Sequence, residues 1–324
     1  MNIINVENLK KSFGEIKAVD NVSFDVKEGE IFGLLGPNGA GKSTIIKILV
    51  TILKKDSGSV TINNYDLEKE QNNVRKSVGI IFQDPSLDER LTAWENLYFH
   101  SKFYHVPSRE IENRINNSLN LVGLSGRKKD IVVNFSGGMK RRLEVARSII
   151  HTPKILFLDE PTIGLDPQTR NYIWEYLVNL RDKQKLTMLL TTHYMEEAEI
   201  CDRIAIMDHG KIIALDTPDN LKRSIENDII TLVTDNNSEF SKIIKEKFNI
   251  EPMINNGILE IPVNDGRTFL PKLFKIAGGM ILSADIKRPS LEEVFIKLTG
   301  RKIREEEAST RDKLKDSVRR RSRH

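Results

Sequence analysis

Gly36-Pro37-Asn38-Gly39-Ala40-Gly41-Lys42-Ser43-Thr44 follows directly on the apolar run Ile31-Phe32-Gly33-Leu34-Leu35 and opens a stretch with helical spacing. It fits the pattern G-x-x-x-x-G-K-[ST] in the setting that gives the pattern meaning, a buried strand before it and a helix after it. The glycines let backbone N–H groups turn inward around phosphate oxygens, and the helix N-terminus beneath adds its partial positive charge. Lys42 would reach the β- and γ-phosphates as a point charge, the Ser43 hydroxyl would ligate Mg²⁺, and Thr44 would add a phosphate contact. The whole run from Gly36 to Thr44 is therefore assigned to a nucleoside-triphosphate cradle.

On the N-terminal side, Val22, Phe24 and Val26 alternate as in a strand, and Glu28-Gly29-Glu30 reads as the turn into Ile31–Leu35. On the C-terminal side, strands are predicted at Ser59–Ile62, Val78–Phe82, Ile155–Leu158, Thr187–Thr191 and Arg203–Met207, with helical patterns between several of them. Strands separated by helices predict an α/β domain with a largely parallel sheet. Between Leu87 and Ile150 helix dominates, since Trp94, Leu97 and Tyr98, then Ile111, Ile115, Leu119 and Val122, recur at helical spacing. This segment is predicted to be a helical subdomain inserted into the sheet domain.

Ile155-Leu156-Phe157-Leu158-Asp159-Glu160 is an apolar strand ending in two carboxylates, a costly arrangement unless they meet a cation or handle a proton. Asp159 suits the Mg²⁺ site of a phosphate-loop enzyme, and Glu160 suits the general base acting on water. Taken alone, such a pair is more often a solvated turn; the cradle upstream reverses that weighting.

Asn134-Phe135-Ser136-Gly137-Gly138-Met139 followed by Lys140-Arg141-Arg142 resembles the signature motif of ABC-type ATPases, and it precedes the Asp159-Glu160 strand as that family requires. The physical reading agrees: Ser136 can cap a helix that Gly137 and Gly138 begin without side chains, leaving N–H groups aimed at an anion. The resemblance implies that this anion is the γ-phosphate held by a second copy, hence a head-to-tail homodimer or a pseudo-dimer with another ATPase subunit. It further implies that Gln83 is the glutamine that senses Mg²⁺ and water, that Gly164-Leu165-Asp166 is the loop following the base, that His193 is the switch histidine at the γ-phosphate, and that Phe13 stacks on adenine. The matching segment runs from about Ile3 to Lys222.

Two departures sharpen the resemblance. Met139 stands where many members have glutamine, and Phe135 replaces leucine; Phe-Ser-Gly-Gly-Met-Lys-Arg-Arg-Leu is similar to the daunorubicin-resistance type of exporter ATPase. Arg288-Pro289-Ser290-Leu291-Glu292-Glu293-Val294-Phe295 resembles the ending of the same subfamily, whose accessory domain is associated with the membrane partner or with dimerisation.

After Pro218 the predicted order is strand Ile229–Thr234, helix Glu239–Phe248, two short strands around Asn255-Asn256-Gly257, helix Thr268–Ala277 and strand Met280–Ile286. That β-α-β-β-α-β order suggests a small ferredoxin-like domain. Ser290 stands three residues before Glu293 at the head of a last amphipathic helix, as in a capping box. The expected domains are thus 1–225 for the ATPase, with the helical subdomain at about 87–150, 226–300 for the accessory domain, and a charged tail at 301–324 expected to be mobile.

With 324 residues, 39% hydrophobic and 30% charged, the chain has room for one large and one small domain. Its longest near-continuous apolar stretch, Ile45 to Leu53, falls far short of the ~20 residues of a membrane helix. The start, Met1-Asn2-Ile3-Ile4-Asn5-Val6-Glu7, lacks the marks of a secretory signal, and the single cysteine, Cys201, can form no internal disulfide. The expected location is the cytoplasmic face of the membrane, beside a separate polytopic permease. The net charge of +4 arises in the tail, where ten Lys/Arg against five Asp/Glu give +5 and leave −1 for the rest. Positive charge confined to a tail without aromatic residues gives little support to a nucleic-acid partner.

Two readings follow: the ATP-hydrolysing subunit of a transporter, in the export direction, or a non-transport ATPase of the same family acting on ribosomes or DNA. A single cassette without a long heptad insertion favours the first.

Overall fold

β1 (Asn2–Phe13) and β2 (Ile16–Lys27) form an antiparallel hairpin whose alternation is interrupted by bulges. At Asn8, φ is 50° and the register shifts, so Leu9 takes the inward place that strict alternation would give to Asn8. The irregularity, together with Glu7, Lys10 and Lys11, hides β1 from a periodicity search, and the sequence reading contains no strand there. The computed structural model describes residues 1–300 apart from Pro85, Glu226, Asn227 and Asn256, and only the backbone of Ile225. The charged tail and the middle of the Asn255-Asn256-Gly257 turn lie outside the described residues.

The chain continues through β3 (Ile31–Leu35), α1 (Lys42–Leu49), β4 (Ser57–Ile62), β5 (Tyr65–Asp66), α2 (Gln71–Ser77) and β6 (Val78–Ile81). Helices α3 (Ala93–Phe103), α4 (Ser108–Leu121) and α5 (Gly137–Ile149) then pack on one another before β7 (Ile155–Asp159), α6 (Pro167–Gln184), β8 (Thr187–Thr192), α7 (Met195–Ala198), β9 (Arg203–Asp208) and β10 (Lys211–Asp216). Thr92 starts α3 with a capping box closed by Glu95.

These strands make two sheets. One has the order β2-β1-β4-β5 and is antiparallel; the other has the order β10-β9-β3-β8-β7-β6, with β3, β6, β7, β8 and β9 parallel. The largely parallel sheet is thus present, and a separate antiparallel sheet shares its core. Phe24 of one stacks on Phe32 of the other with ring centroids 5.3 Å apart, and Ile4, Val6, Ile45, Ile46, Phe157 and Leu189 belong to the same buried cluster. Each large apolar side chain so buried contributes about 1.5–3 kcal/mol. Glu30, 7% exposed in the turn before β3, is neutralised by Arg203 at 2.5 Å.

The strand order decides where chemistry can occur. β3 lies beside β8, and β8 beside β7; Leu35 is level with Thr192, and Asp159 with Thr191. The residues following β3, β7 and β8 therefore emerge side by side at the carboxyl edge of the sheet, the usual place for ligands in open α/β folds.

A second compact unit begins at Asp216. It comprises α8 (Pro218–Ile225), β11 (Asp228–Thr234), α9 (Asn237–Phe248), β12 (Met253–Asn255), β13 (Ile258–Val263), α10 (Gly266–Ile276), β14 (Ile281–Lys287) and α11 (Leu291–Thr299). Its antiparallel sheet has the order β12-β13-β11-β14, the ferredoxin-like arrangement, over a core of Ile230, Leu232, Phe240, Ile244, Leu259 and Leu273. Helix α8 packs on α11, so it stands with this unit although it precedes the sequence boundary at 225. No linker separates α8 from β10, which removes the compositional signal for the earlier boundary.

Ser290 and Glu293 close the capping box that begins α11: Ser290 Oγ accepts from the Glu293 N–H at 3.2 Å, and Glu293 Oε2 accepts from the Ser290 N–H at 2.7 Å. Ser290→Ala should cost about 0.5–2 kcal/mol. Chemical denaturation of the full chain, followed by far-UV dichroism, checks this; an unchanged profile would show that α11 is held by its buried Leu291, Val294 and Phe295 alone.

Candidate active site

β3 is fully buried, and its chain exits into the cradle loop, where Gly36 N–H donates to Thr192 O at 3.2 Å. Gly41, the residue before α1, has φ 99° and lies so close to the Ala18 carbonyl that a Cβ would overlap it. Only glycine meets both conditions. Lys42, 4% exposed, donates from Nζ to the carbonyls of Gly36 at 2.7 Å and Pro37 at 2.9 Å, and stands 3.7 Å from Glu160 Oε1. The ammonium is thereby fixed inside the loop.

Ser43 Oγ donates to Asp159 Oδ1 at 2.8 Å, and Thr191 Oγ1 donates to the same oxygen at 2.7 Å. A hydroxyl and a carboxylate are thus paired at the mouth of the parallel sheet. They fit Mg²⁺, which takes one or two protein oxygens and leaves its other positions to water and phosphate. No group of three or more His, Cys, Asp or Glu that could cage a metal occurs among the described residues, and a phosphate-loop Mg²⁺ site needs none.

Glu160 is buried at 5% exposure and has φ 47°, a left-handed conformation uncommon for a residue with a side chain. Its N–H donates to Thr191 O and Oγ1, at 3.2 and 3.0 Å. Nδ1 of His193 stands 3.5 Å from its Oε2. Burial pushes the Glu160 carboxyl up, but the His193 imidazole and the positive charge of Lys42 outweigh it and hold the carboxyl below its ordinary range. Glu160 is therefore a carboxylate at neutral pH.

Of these residues Lys42, Ser43 and Glu160, but not Asp159 or His193, line a cleft of about 570 Å³, together with Phe13, Gly39, Thr44 and Gln83. Asn38 and Gly41 also reach its wall, whereas Gly36, Pro37 and Ala40 are buried and do not line it. Phe13 stands at the rim, half exposed, with Lys11 Nζ 5.6 Å from its ring centroid. Gln83 is exposed beyond the end of β6. Ile16, Lys17, Ala18 and His209 also line the cleft, and none carries a motif by which sequence could select it.

Ser136, Gly137 and Gly138 are not brought to this cleft within one chain. Ser136 caps α5, its Oγ accepting from the Met139 N–H at 3.3 Å. A Cβ on Gly138 would come 2.8 Å from Thr169 Cγ2, so the helix start and the head of α6 can approach only because that side chain is absent. Ser136 and Gly138, with Met139, Arg142, Gln168, Thr169 and Tyr172, line a separate hollow of about 250 Å³. Asp166 caps α6 by accepting from the Thr169 N–H at 2.9 Å and its hydroxyl at 2.6 Å.

Sequence reasoning also passed over Arg141. Although only 7% exposed, it donates to the carbonyl of Pro161, to that of Glu160 at 3.3 Å, and to that of Phe82 at 2.6 Å. A basic run on a helix reads as a solvated face, so nothing in Lys140-Arg141-Arg142 singles out the middle residue.

Residues 19–163 match the family described as ABC transporter, and residues 217–299 match the DrrA1-3-like C-terminal domain of ATP-binding proteins. The chain is 38% identical over 312 residues to the linearmycin resistance ATP-binding protein LnrL of Bacillus subtilis (strain 168), covering 94% of this chain and all of that one. It is 38% identical over 302 residues to a Nod factor export ATP-binding protein I of Rhizobium sp. (strain N33), covering 93% of this chain and 98% of that one. Among solved structures, a dimeric ATP-binding cassette in a post-hydrolysis state with ADP and Pi bound is 29% identical with a TM-score of 0.61, covering 66% of this chain and 98% of its own.

Proposed function

From the premise that this chain belongs to the ATP-binding proteins of ABC transporters, we propose that it drives export through a separate membrane permease by closing and reopening as a head-to-tail dimer. It binds ATP with Mg²⁺ and hydrolyses it.

The observation that carries the reading is the cluster of Lys42, Ser43, Asp159, Glu160 and His193 at one edge of the sheet, with Ser136 turned to another hollow. One chain thus supplies a complete cradle and, elsewhere, a capped helix start with spare N–H groups. In a head-to-tail pair, Ser136, Gly137 and Gly138 of one copy close over the phosphates in the other copy's cradle. Ser43, Asp159 and Gln83 would hold Mg²⁺, which would supply charge neutralisation for the phosphates. Phe13 stacks on the adenine at the rim.

Glu160 accepts the proton of the attacking water, and His193 orients that carboxylate and reaches the γ-phosphate. His193, with the charge of Lys42, holds the Glu160 carboxyl low against the effect of burial, so that the base is ionised.

Movement passes through the Gln83 segment and the helices of 87–150 to the membrane partner. A hollow of about 730 Å³ lined by Val50, Ile80, Phe82, Phe103 and Tyr104, with Phe103 80% exposed, supports a protein contact there. No described helix is long and apolar enough to cross a membrane, which fits a chain that works at the cytoplasmic face on a separate permease. The DrrA-like C-terminal domain, and a relative named for Nod factor export, support the export direction.

Capture of tagged Glu160→Gln chain from its native cells, cross-linked with ATP present, tests this reading. A polytopic membrane protein at stoichiometric level is expected, and Phe103→Asp should reduce its recovery about tenfold or more while leaving ATP binding intact. Ribosomal proteins or DNA in its place would favour the non-transport alternative.

A further inference from the structure

Helix α5 carries three functional faces at once. Its first turn holds Ser136 to Gly138. One turn further, and then at intervals of three, Arg141, Glu144 and Arg147 fall on one side of the helix and meet the segment that bears Gln83. Arg141 Nη1 donates to Phe82 O, next to Gln83, at 2.6 Å, and also to Glu144 Oε2 at 2.9 Å. The other oxygen of Glu144, which is 2% exposed, accepts from the Ser86 N–H at 2.8 Å. Arg147 donates from Nη1 to Ser86 O at 2.5 Å and from Nη2 to the Ser86 hydroxyl. The backbone is thus gripped at Phe82 and Ser86, on both sides of Gln83.

Arg141 also faces the opposite way. Its Nε donates to Pro161 O and its Nη2 to Glu160 O at 3.3 Å. These carbonyls belong to the turn that holds Glu160 at φ 47°, a conformation that persists only where surrounding contacts over-determine it. Thr191 holds the same residue by its N–H, and Glu197 takes the Thr162 hydroxyl just beyond. Arg141 connects this turn to the strand end before Gln83, and it does so from the helix that begins at Ser136. A fork of donors on a rigid plane can serve carbonyls from two separate chain segments; an ammonium on a flexible stem cannot reproduce that geometry.

We propose that Arg141, oriented by Glu144, is a positioning residue that makes engagement of the Ser136 helix start, placement of Gln83 and alignment of the Glu160 base one mechanical event. It touches no substrate. The inference rests on the site assignment above, because its effect must be exerted through Glu160 and Gln83.

The test is steady-state ATPase and fluorescent-nucleotide binding on the full chain for the parent, Glu160→Gln, Arg141→Lys and Glu144→Gln. Arg141→Lys is expected to keep its nucleotide Kd within twofold and to lose kcat at least tenfold. In hydrogen exchange the peptide around Phe82–Ser86 should exchange faster while the cradle peptide keeps its ATP-induced protection. Glu144→Gln, which retains the guanidinium, is expected to lose kcat three- to tenfold with the same unchanged Kd. It carries the test if Arg141→Lys does not fold. Parent-like kcat in both variants, or a fall in kcat matched by equal loss of nucleotide binding, overturns the proposal. An active Glu160→Gln chain would instead overturn the underlying site assignment, so the two failures are told apart.

Discussion

Glu160→Gln is expected to bind ATP as tightly as the parent chain, to turn it over about 10²–10⁴-fold more slowly, and to accumulate as a dimer in the presence of ATP. The first expectation follows from where the residue stands. Its carboxylate lines the cleft wall and is 3.7 Å from Lys42, but the cradle around Lys42 is built from the Gly36 and Pro37 carbonyls and from the start of α1, none of which needs Glu160. The second follows from the chemistry, since the amide has the size and shape of the acid without its proton-accepting oxygen. The third follows from the proposed head-to-tail dimer, in which Ser136 closes the site from another copy and reopening depends on hydrolysis. Because His193 and Lys42 hold the Glu160 carboxyl below its ordinary range, loss of the base by protonation should begin only at pH values below that range. Single-turnover hydrolysis with gel filtration, with and without ATP, measures all of this. Turnover within threefold of the parent would remove Glu160 from the base role.

The fold was legible where one physical signal dominated. Ile31–Leu35, Ile155–Asp159 and Thr187–Thr192 are buried on both faces, so continuous apolar runs expose them, and the cradle glycines announce the loop between strand and helix. The antiparallel hairpin was not legible at β1, where a bulge at Asn8 breaks the alternation and charged residues occupy the outer face. Sequence also named Lys42, Ser43, Asp159, Glu160 and His193, which the fold brings together at one edge of the sheet, because the roles proposed for them dictate residue type. It did not name Arg141 or Thr191, whose roles are to hold other residues. Such a role is written in three-dimensional adjacency: Thr191 sits in an apolar run like any strand threonine, and only its register opposite Asp159 and Glu160 reveals what it binds.

Lys42→Ala should weaken ATP binding by about ten- to a hundredfold, since a hydrogen bond to a charged group contributes about 1.5–3 kcal/mol and 1.4 kcal/mol is a factor of ten. The change also alters the resting site. With the ammonium gone, the Gly36 and Pro37 carbonyls lose a buried donor, and Glu160, 5% exposed, loses the counter-charge that helps keep it ionised. Removing one partner of a buried pair costs more than the pair contributes, because an uncompensated charge stays behind. The Glu160 carboxyl should then move up, towards the value that burial alone favours. Lys42→Ala is therefore expected to be defective in binding and in the pH dependence of any residual turnover, whereas Glu160→Gln is defective in turnover alone. Nucleotide titration of both variants separates the two roles. A Lys42→Ala chain with a Kd within threefold of the parent would show that the backbone cradle, and not the ammonium, holds the phosphates.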